Sequence, residues 1–494
     1  MTAMTGTLWL VRLIGRNDRV RIVVWVLAIP AAVLATASSV KGLYPTPAEL
    51  GAAAAALRGN ASQIALNGPD RALDTLGGRV AFEVANFSLV GIALMSLLLV
   101  GRHTRGEEES GRAELVRAGS LGLYAGVAAP VLVVVGMNVA VGAAIALGLL
   151  ALRLPAAGSL ALGASLSAVG LVFAGVAALA AQAAAATRAA HALSGAALAL
   201  AFALRALGDM GSGSLSWLSP LGWVQSSRPF AGERWWPLLL AVGVAGGCIV
   251  IAGALSARRD LGAGLIAPRP GAPTASKSLG RPLGLAVRLQ RASLLAWAAG
   301  VFLAGLALGA LGQDADQLIA ENQSAADVLA QGGGGRLVDS FFATFLVLMA
   351  LAAAGFALQS MQRLRAEEVS ARAEAVLATA VSRRQWAGAQ LAVALGGSVA
   401  VLAAAGAGTG LGYGAATADP AQVLRLTGAA LVHVPAVWVL VGLAAVLFGL
   451  APRAVPAAWG ALAACLFIAL LGQLLDAPGG VRGISPFRHV PPLP

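Results

Sequence analysis

Residues 80–101 read VAFEVANFSLVGIALMSLLLVG and are followed at 102–118 by RHTRGEEESGRAELVRA. The first stretch has one ionisable side chain, Glu83, and is long enough to cross a hydrocarbon core of ~30 Å as an α-helix. The second stretch is short and densely charged. Apolar stretches of this length, separated by short charged runs, recur along the whole chain and predict an all-α polytopic membrane protein.

The composition supports this interpretation. Hydrophobic residues make up 58% of the 494 residues, charged residues make up 11%, and the mean hydropathy is +0.81. A soluble protein of this size needs more charge to cover its surface. The two cysteines, Cys248 and Cys465, lie in apolar stretches and indicate no disulfide framework. About eleven spans (6+5) are predicted, at 22–43, 80–101, 121–149, 160–183, 190–208, 237–256, 293–311, 338–361, 386–412, 426–449 and 455–475.

Basic residues predict the orientation of these spans. With the N-terminus in the cytoplasm, the inside segments hold 22 of the 34 basic residues and 9 of the 22 acidic residues. The positive-inside rule selects this orientation, so the net charge of +12 is a topology signal and does not indicate nucleic-acid binding. Lys41 and Lys277 are the only lysines, and this arginine bias is typical of a high-GC bacterial gene. We therefore expect a bacterial cytoplasmic (inner) membrane protein.

The chain contains an internal repeat. Three pairs of segments match in the same order, at offsets of 272, 260 and 266 residues, and the central pair is identical at 9 of 14 positions. Three matches in register indicate a tandem duplication. The pairs are Arg16-x-x-Arg19 with Arg288-x-x-Arg291, 105–118 with 365–378, and Leu218-Ser219-Pro220 with Ile484-Ser485-Pro486.

The repeat predicts the domain organisation. The first half covers 1–256 with six spans, a cytoplasmic linker covers 257–292, and the second half covers 293–494. Six spans return the chain to the cytoplasm, so both halves are expected to be inserted the same way round. No counterpart of the sixth span follows 485–486, so the second half is expected to have five spans. Two explanations fit: a naturally short protein or an incomplete C-terminus.

The repeated segment EExSxRAE directly follows the second span of each half. On a continuous helix Glu108 and Arg112 are four residues apart, as are Glu368 and Arg372, in the order that favours an ion pair. Recurrence with this spacing favours a docking site for a cytoplasmic partner over a solvated loop. The predicted docking residues are Glu107, Glu108, Ser110, Arg112 and Glu114 in the first half, and Glu367, Glu368, Ser370, Arg372 and Glu374 in the second.

At these motifs the chain resembles the ABC-2-type exporter permeases, and within them the duplicated single-chain permeases of the polyketide-antibiotic exporter, tetronasin-resistance type. The resemblance covers essentially the whole chain and is carried by GEEESGRAELVRAG, EEVSARAEAVLATAVSRRQW, WLSPLGWVQSSRPFAGERWWPLL and ISPFRHVPPLP. It implies a type V exporter-like fold in which 107–117 and 367–384 form coupling helices against an ATPase. It also implies an outer gate at Ser219, Pro220, Trp223, Ser485 and Pro486.

The ATPase is expected on another chain. A P-loop requires a Gly-Lys pair, but the two lysines follow Val40 and Ser276. We therefore predict no enzyme activity and no cofactor for this chain, and assign ATP and Mg to a separate P-loop ATPase subunit, as a dimer with one copy under each half. Membrane lipid and a hydrophobic small molecule are the other expected partners.

Few ionisable residues lie at membrane depth, where they usually mark transport pathways. They are Glu83, Arg205 with Asp209, and Asp339, all near predicted outer ends. His433 is predicted to pack and not to bind a ligand. The acidic loop 314–327, with Asp314, Asp316, Glu321 and Asp327, favours a solvated loop over a metal site, so no metal is predicted. Candidates for the substrate pathway are Phe82, Glu83, Phe87, Phe341, Phe342 and Phe345.

Two helices are predicted outside the spans. Residues 5–17 predict an interfacial helix with Leu8, Trp9 and Leu13 towards one face. Residues 46–58 open with a capping box, Thr46-Pro47-Ala48-Glu49, and predict an external helix.

These features favour the permease subunit of an ATP-binding-cassette exporter that moves hydrophobic or amphipathic compounds, antibiotics or other drugs, out of the cell. The alternative is a proton-driven secondary multidrug antiporter, which requires acids at the midplane and gives EExSxRAE no role. A membrane enzyme is least consistent with the sequence, because no catalytic constellation occurs at either face.

Overall fold

The computed structural model describes residues 3–119, 121–266, 273–320, 337–471, 483–491 and 493. Within these ranges the chain forms helices and no strands, and eleven helical segments are long and apolar enough to cross a membrane. The predicted all-α polytopic membrane fold is therefore confirmed. The chain forms two compact units, Met1–Pro270 (unit 1) and Gly271–Pro494 (unit 2).

Unit 1 contains twelve α-helices among its described residues, and six of them form membrane-crossing segments (α2, α5, α8, α9, α10 and α12). The helices are α1 Thr7–Asn17, α2 Arg19–Leu43, α3 Pro47–Leu57, α4 Ala61–Asn67, α5 Leu76–Gly101, α6 Glu107–Glu109, α7 Arg112–Arg117, α8 Ala125–Ala151, α9 Ala156–Ala183, α10 Thr187–Met210, α11 Pro220–Gln225 and α12 Trp236–Ser256. A π-helical turn, Arg102–Gly106, connects α5 to α6, and a 3₁₀ turn, Leu215–Leu218, precedes α11.

Unit 2 contains five membrane-crossing segments in its described residues. Its α-helices are α13 Pro282–Ala320, α14 Leu337–Val369, α15 Arg372–Leu377, α16 Arg383–Thr417, α17 Ala421–Leu431, α18 Val434–Leu450 and α19 Ala457–Leu471. Short 3₁₀ turns lie at Lys277–Gly280, Pro452–Ala454 and Pro486–His489. The tenth membrane-crossing segment, Ala421–Leu450, consists of α17 and α18.

Two sequence predictions concern side chains of unit 2. His433 is buried and its Nδ1 lies 3.2 Å from the Ala429 carbonyl oxygen, so this side chain packs as predicted. The predicted start of the acidic loop, at residue 314, is wrong. The helix α13 continues to Ala320 and contains Asp314 and Asp316. Its other two acids, Glu321 and Asp327, lie outside the described residues.

Glycines bring helix backbones together in both units. A Cβ at Gly142 of α8 would lie 2.4 Å from the carbonyl oxygen of Gly163 on α9. In unit 2, a Cβ at Gly408 of α16 would lie 2.1 Å from the carbonyl oxygen of Phe302 on α13. Both distances are too short for any side chain. The abundance of small residues thus produces close helix–helix contacts, which in lipid depend on packing more than on hydrophobic burial.

The N-terminal segment forms the predicted separate helix, α1, and the backbone at Asp18 (φ −107°, ψ 19°) divides it from α2. Leu8 and Trp9 are exposed, at 70% and 57%. Leu13 packs instead against Ala125 and Ala129 of α8, so the prediction that it shares a face with Leu8 is wrong. Five residues turn a helix by about 500°, which places these two side chains roughly 140° apart.

The external helix predicted at 46–58 is α3, Pro47–Leu57. The Thr46 hydroxyl accepts a hydrogen bond from the Glu49 amide at 3.3 Å, and Pro47 occupies the first helical position, where its missing N–H costs nothing. The capping sequence therefore starts this helix as expected.

Candidate functional site

The first motif copy (Glu107–Glu114) begins in α6, the last turn of the continuous membrane-crossing segment Leu76–Glu109. The π-helical turn leads into α6, and the chain then reverses at Gly111, whose φ of 73° is left-handed. Glycine adopts this conformation without the steric cost that a Cβ imposes. The motif is therefore two short helices, α6 and α7, meeting at a sharp turn, and not one helix.

Glu108 is the anchor of the first motif copy. Its carboxylate receives hydrogen bonds from Arg105 Nη1 at 2.9 Å and from Arg259 Nη1 and Nη2 at 2.9 and 2.5 Å. All three side chains are at most 9% exposed. Arg105 also donates to the Ala181 carbonyl at the end of α9, and Arg259 donates to the Gln182 side chain. This buried network fixes the motif to α9 and to the segment that follows α12.

The other charges of the first copy face outwards. Arg112 donates from Nε and Nη2 to the two carboxylate oxygens of Glu107, at 2.7 and 3.1 Å, and its side chain is 60% exposed. The hydrogen bond and the charge of Glu107 raise the pKa of Arg112. Ser110 Oγ donates to the Glu107 carbonyl, and Glu114 is exposed on α7. The outer layer of the motif is therefore accessible to a partner.

The second motif copy (Glu367–Glu374) has the same backbone plan with different contacts. The helix α14 continues to Val369, and Ala371, with φ 56°, makes the left-handed turn before α15. Glu367 receives hydrogen bonds from Arg363 Nε and Trp386 Nε1, both at 3.3 Å.

The remaining side chains of the second copy lie nearer the surface. Glu368 pairs with Arg383, which is 68% exposed, and its other oxygen lies 3.7 Å from Arg365. Arg372 donates from Nε to Ser370 Oγ at 2.9 Å, and Glu374 is exposed.

The two ion pairs predicted from i,i+4 spacing are wrong. Arg112 pairs with Glu107 instead of Glu108, and Arg372 bonds Ser370 instead of Glu368. The spacing rule applies to a continuous helix. The left-handed residue between the two members of each predicted pair ends the helix, so their side chains no longer project from one face.

Sequence reasoning missed the residues that anchor the motifs. Arg105 and Arg365 occur at the same position before each copy, so the repeat itself carries a signal for them. Arg259 lies 151 residues from Glu108 and has no local signal. Trp386 and Arg383 fall within the stretch that carried the resemblance, but their partners could not be assigned without the fold.

An ionic cluster lies beside the first copy. Asp18 accepts hydrogen bonds from Arg21 Nη1 at 2.6 Å and Arg102 Nε at 3.0 Å, and His103 Nε2 lies 2.8 Å from the same carboxylate. Burial by itself raises the pKa of Asp18, but the charges of His103, Arg102 and Arg21 outweigh it and leave the pKa below its ordinary value. Asp18 is therefore ionised and joins the α1–α2 junction to the end of α5.

The pathway candidates of unit 1 lie on α5 but on different faces. Phe82 is buried and lines a cavity of about 70 Å³, together with Arg71 and Arg228, whereas Phe87 is 40% exposed. Glu83 pairs with Arg79 at 2.8 Å. A volume of 70 Å³ holds about two water molecules and is well below the size of a drug-binding pocket.

The candidates of unit 2 form an aromatic cluster. Phe341 lies 4.5 Å from Phe345 and 5.5 Å from Phe342, between ring centroids, and Phe342 packs edge-on against Tyr413 at 4.9 Å. Phe342 is fully buried, so it contributes to the core of unit 2.

The predicted outer-gate residues begin short helices. Ser219 Oγ donates to the Ala201 carbonyl at 2.6 Å and accepts from the Leu221 amide, and Pro220 opens α11. Trp223 Nε1 donates to the Trp217 carbonyl at 2.6 Å.

In unit 2, Ser485 precedes a 3₁₀ turn that starts at Pro486, and Phe487 is buried in the core. Ser219 therefore attaches the start of α11 to α10, whereas in unit 2 it is Phe487 that packs this turn into the core.

Two known proteins or families are similar to this chain over regions that include these features. A family model for the C-terminal domain of the multidrug efflux system permease Rv1217c matches residues 279–494. The multidrug efflux system permease protein Rv1217c of Mycobacterium tuberculosis (strain ATCC 25618 / H37Rv) is 44% identical over 494 residues, which cover 99% of this chain and 90% of that protein. The similarity therefore includes both units and both motif copies.

Proposed function

Because the chain belongs to the family of the multidrug efflux system permease Rv1217c, we propose that it is the membrane-spanning permease subunit of an ATP-binding-cassette exporter. In this proposal it moves hydrophobic and amphipathic compounds, antibiotics among them, out of the cell. ATP and Mg bind to a separate P-loop ATPase dimer. The N-terminus and both motif copies lie in the cytoplasm, where the ATPases dock.

The observation that supports docking is the two-layer structure of each motif. One acidic residue is anchored by buried contacts, Glu108 in the first copy and Glu367 in the second. The short helix that follows, α7 or α15, presents exposed charges. A rigid attachment to a span beneath an exposed charged helix is suited to transmit movement from a partner into the membrane. The exposed charges are Arg112, Glu114, Arg372 and Glu374.

The acids near the membrane-crossing segments argue against the proton-driven alternative. In the part of the chain that the structure describes, two acids in or beside these segments and away from the motifs, Glu83 and Asp339, form close ion pairs with arginines. A proton carrier needs a carboxylate that can lose and regain its proton, and an adjacent guanidinium favours the ionised form. The pairs are Glu83–Arg79 at 2.8 Å and Asp339–Arg425 at 2.7 Å.

Docking can be tested by reversing the exposed charges without disturbing the anchors. We expect Arg112→Glu with Arg372→Glu to abolish co-purification of the co-expressed P-loop ATPase partner. Arg234→Glu, the same change at an exposed residue outside the motifs, is the matched control and should co-purify normally. Unchanged co-purification of the double variant would refute the docking assignment.

The energy source can be tested in reconstituted vesicles that contain the permease and the ATPase. We expect outward movement of a fluorescent amphipathic dye with ATP, and none with a pH gradient alone. Dye movement driven by the pH gradient in the absence of ATP would instead support the antiporter.

In the same proposal, the substrate pathway passes Phe82, Glu83 and Phe87 in unit 1, and the aromatic cluster of Phe341, Phe342 and Phe345 in unit 2. The outer gate includes Ser219, Pro220, Trp223, Ser485 and Pro486. Replacing Trp223 by Ala should raise passive dye leakage in the vesicles, because it removes the ring whose Nε1 bonds Trp217. Leakage equal to that of the unchanged protein would exclude Trp223 from the gate.

A further inference from the structure

Unit 1 encloses a cavity of about 380 Å³ beside the first motif copy. This volume falls within the roughly 300–1,000 Å³ that is typical of small-molecule sites. One side of the cavity is apolar and the other is charged. The apolar lining is Leu10, Leu13, Ile14, Val116, Leu121, Val127 and Pro130, and the charged lining is Asp18, Arg102, Glu107, Glu108, Arg112 and Arg117, beside His103.

The lining itself holds three carboxylates and three arginines, and guanidinium groups outnumber carboxylates once the ion-pair partners behind the lining are included. The three carboxylates of the lining are paired with five guanidinium groups, from Arg21, Arg102, Arg105, Arg112 and Arg259. Arg117 adds a sixth, and among the residues that the structure describes it has no carboxylate within ion-pairing distance. The low pKa of Asp18 has the same origin, because surrounding cations stabilise its ionised form.

Arg117 is held at the cavity wall. It is half-buried at the end of α7, and its Nη2 would lie 3.7 Å from a Cβ at Gly126, in the first turn of α8. The guanidinium therefore stands where the apolar lining of α8 begins.

An open apolar groove of about 520 Å³ extends from the same helices. It is lined by Val11 and Gly15 of α1, by residues 22–27 of α2, and by residues 132–140 of α8. On α8 the cavity and the groove share one stripe, because Val127, Pro130, Val133, Met137 and Ala140 recur every three or four residues.

The depth of α1 indicates what fills this groove. Leu8 and Trp9 are exposed on α1, which is expected for a helix that lies at the membrane interface. The cavity is therefore at headgroup level, and the groove extends along α2 and α8 at the level of the acyl chains.

We propose that α1, α2, α7 and α8 form a binding site for an anionic phospholipid, whose phosphate lies at Arg117 and whose acyl chain follows the groove along α8. Basic pockets beside spans on the cytoplasmic side are suited to anionic headgroups. In the predicted orientation the lipid comes from the inner leaflet. The site is particular to unit 1. The repeat places Leu377 at the position of Arg117, and α13 continues without a break through the region that corresponds to the boundary between α1 and α2.

The test uses the purified full chain in mixed micelles with equal amounts of phosphatidylglycerol and phosphatidylcholine that have identical acyl chains. Retained lipid is quantified by mass spectrometry after size-exclusion chromatography. We expect phosphatidylglycerol to be enriched, and Arg117→Gln to reduce the enrichment about fivefold, which corresponds to roughly 1 kcal/mol per basic residue at a membrane surface. Arg117→Lys should keep the preference. Arg188→Gln, at an exposed arginine that does not line the cavity, is the charge control.

The groove is tested by filling it. A Cβ at Gly136 meets no atom within 4 Å, so Gly136→Leu fits without a clash and should lower retention of both lipids. Gly243→Leu, at another exposed glycine with open space, should not. Equal retention of both lipids by the unchanged protein, or enrichment unaffected by Arg117→Gln, would overturn the proposal. Displacement of phosphatidylglycerol by equimolar palmitate would overturn the assignment to a phospholipid.

Discussion

The two motif copies share their backbone plan and differ in how they are anchored. Both have a left-handed residue before a six-residue helix, at Gly111 and at Ala371. In the first copy Glu108 lies between two buried arginines. In the second copy the equivalent Glu368 pairs with the exposed Arg383, and Glu367 takes the more buried position.

This difference arises outside the motif. Arg259, which anchors Glu108, comes from the segment after α12, whereas Trp386 and Arg383, which contact the second copy, come from the start of α16. The two copies therefore have equivalent turns, although the turn residue is Gly111 in one and Ala371 in the other, while their shared charged residues form different ion pairs. The neighbouring helices decided which glutamate became the anchor.

The largest difference in stability between the two copies is expected from substitutions of Glu108 and Glu368, the second glutamate of each motif. Glu108→Gln leaves two buried arginines without a carboxylate and should lower the free energy of unfolding by about 3–5 kcal/mol. Glu368→Gln affects mostly exposed partners and should cost less than about 1 kcal/mol. Equilibrium unfolding of both variants in mixed micelles measures the difference. Equal losses would show that the two copies are anchored alike.

A second difference concerns Asp18 of unit 1 and the residue that the repeat aligns with it in unit 2, Gln290. Asp18 pairs with Arg21 and Arg102 and lies 2.8 Å from His103 Nε2, whereas its counterpart Gln290 is bonded to Gln390 and Ser360. Asp18→Asn should lower stability by about 1–3 kcal/mol at neutral pH.

The pH dependence of this effect follows from the low pKa of Asp18. Because folding lowers that pKa, its contribution is complete above the unfolded value of about 3.8 and is lost as the pH falls through the lower folded value. Unfolding measured between pH 3 and pH 7 should show less acid sensitivity in Asp18→Asn. Gln290→Leu should instead lower stability by the same amount at every pH, and a pH-dependent loss would contradict this.

The turn residues predict a gain of stability in one copy and a loss in the other. Ala371 has φ 56°, a conformation that costs a residue with a Cβ roughly 1–2 kcal/mol relative to glycine. Ala371→Gly should therefore raise the unfolding free energy by about 1 kcal/mol, and Gly111→Ala should lower it by a similar amount. Thermal unfolding of both variants tests this. A loss of stability in Ala371→Gly, or a gain in Gly111→Ala, would contradict the prediction.

The smallest expected effect is the surface pair of the first copy. A double-mutant cycle on Glu107 and Arg112 should give a coupling of about 0.2–1 kcal/mol that weakens at high salt. The same cycle on Glu367 and Arg372 should give none, because Arg372 bonds Ser370. Measurable coupling in the second cycle would mean that the second copy forms the same surface pair as Glu107 and Arg112 in the first.

Helix existence was the most predictable property of this chain. The eleven apolar stretches, the separate α1 and the capped α3 follow from length, hydropathy and Thr46, all of which are local. Boundaries were less predictable: α13 continued through Asp314, and the second membrane-crossing segment extended beyond α5 to Glu109 through a π-helical turn.

Among the candidate site residues, the repeat identified the motif correctly as a recurring structural unit, but the ion pairs within it could not be predicted. The left-handed φ of Ala371 has no strong local signal, since alanine favours the right-handed helix. Phe82 and Phe87 looked equivalent in sequence, yet one lines a cavity and the other is exposed, because five residues turn α5 well away from its first face.

The sequence by itself determined that this protein is a membrane protein of two repeated parts, because hydropathy and repetition are properties of short segments that act independently of their surroundings. The tertiary structure alone decided that Arg259 meets Glu108 across 151 residues, that Trp386 meets Glu367, and that α1 and α8 enclose a cavity. Such contacts depend on which helices pack side by side, and glycine seams such as Gly142 with Gly163 set that packing through backbone distances that no local pattern encodes.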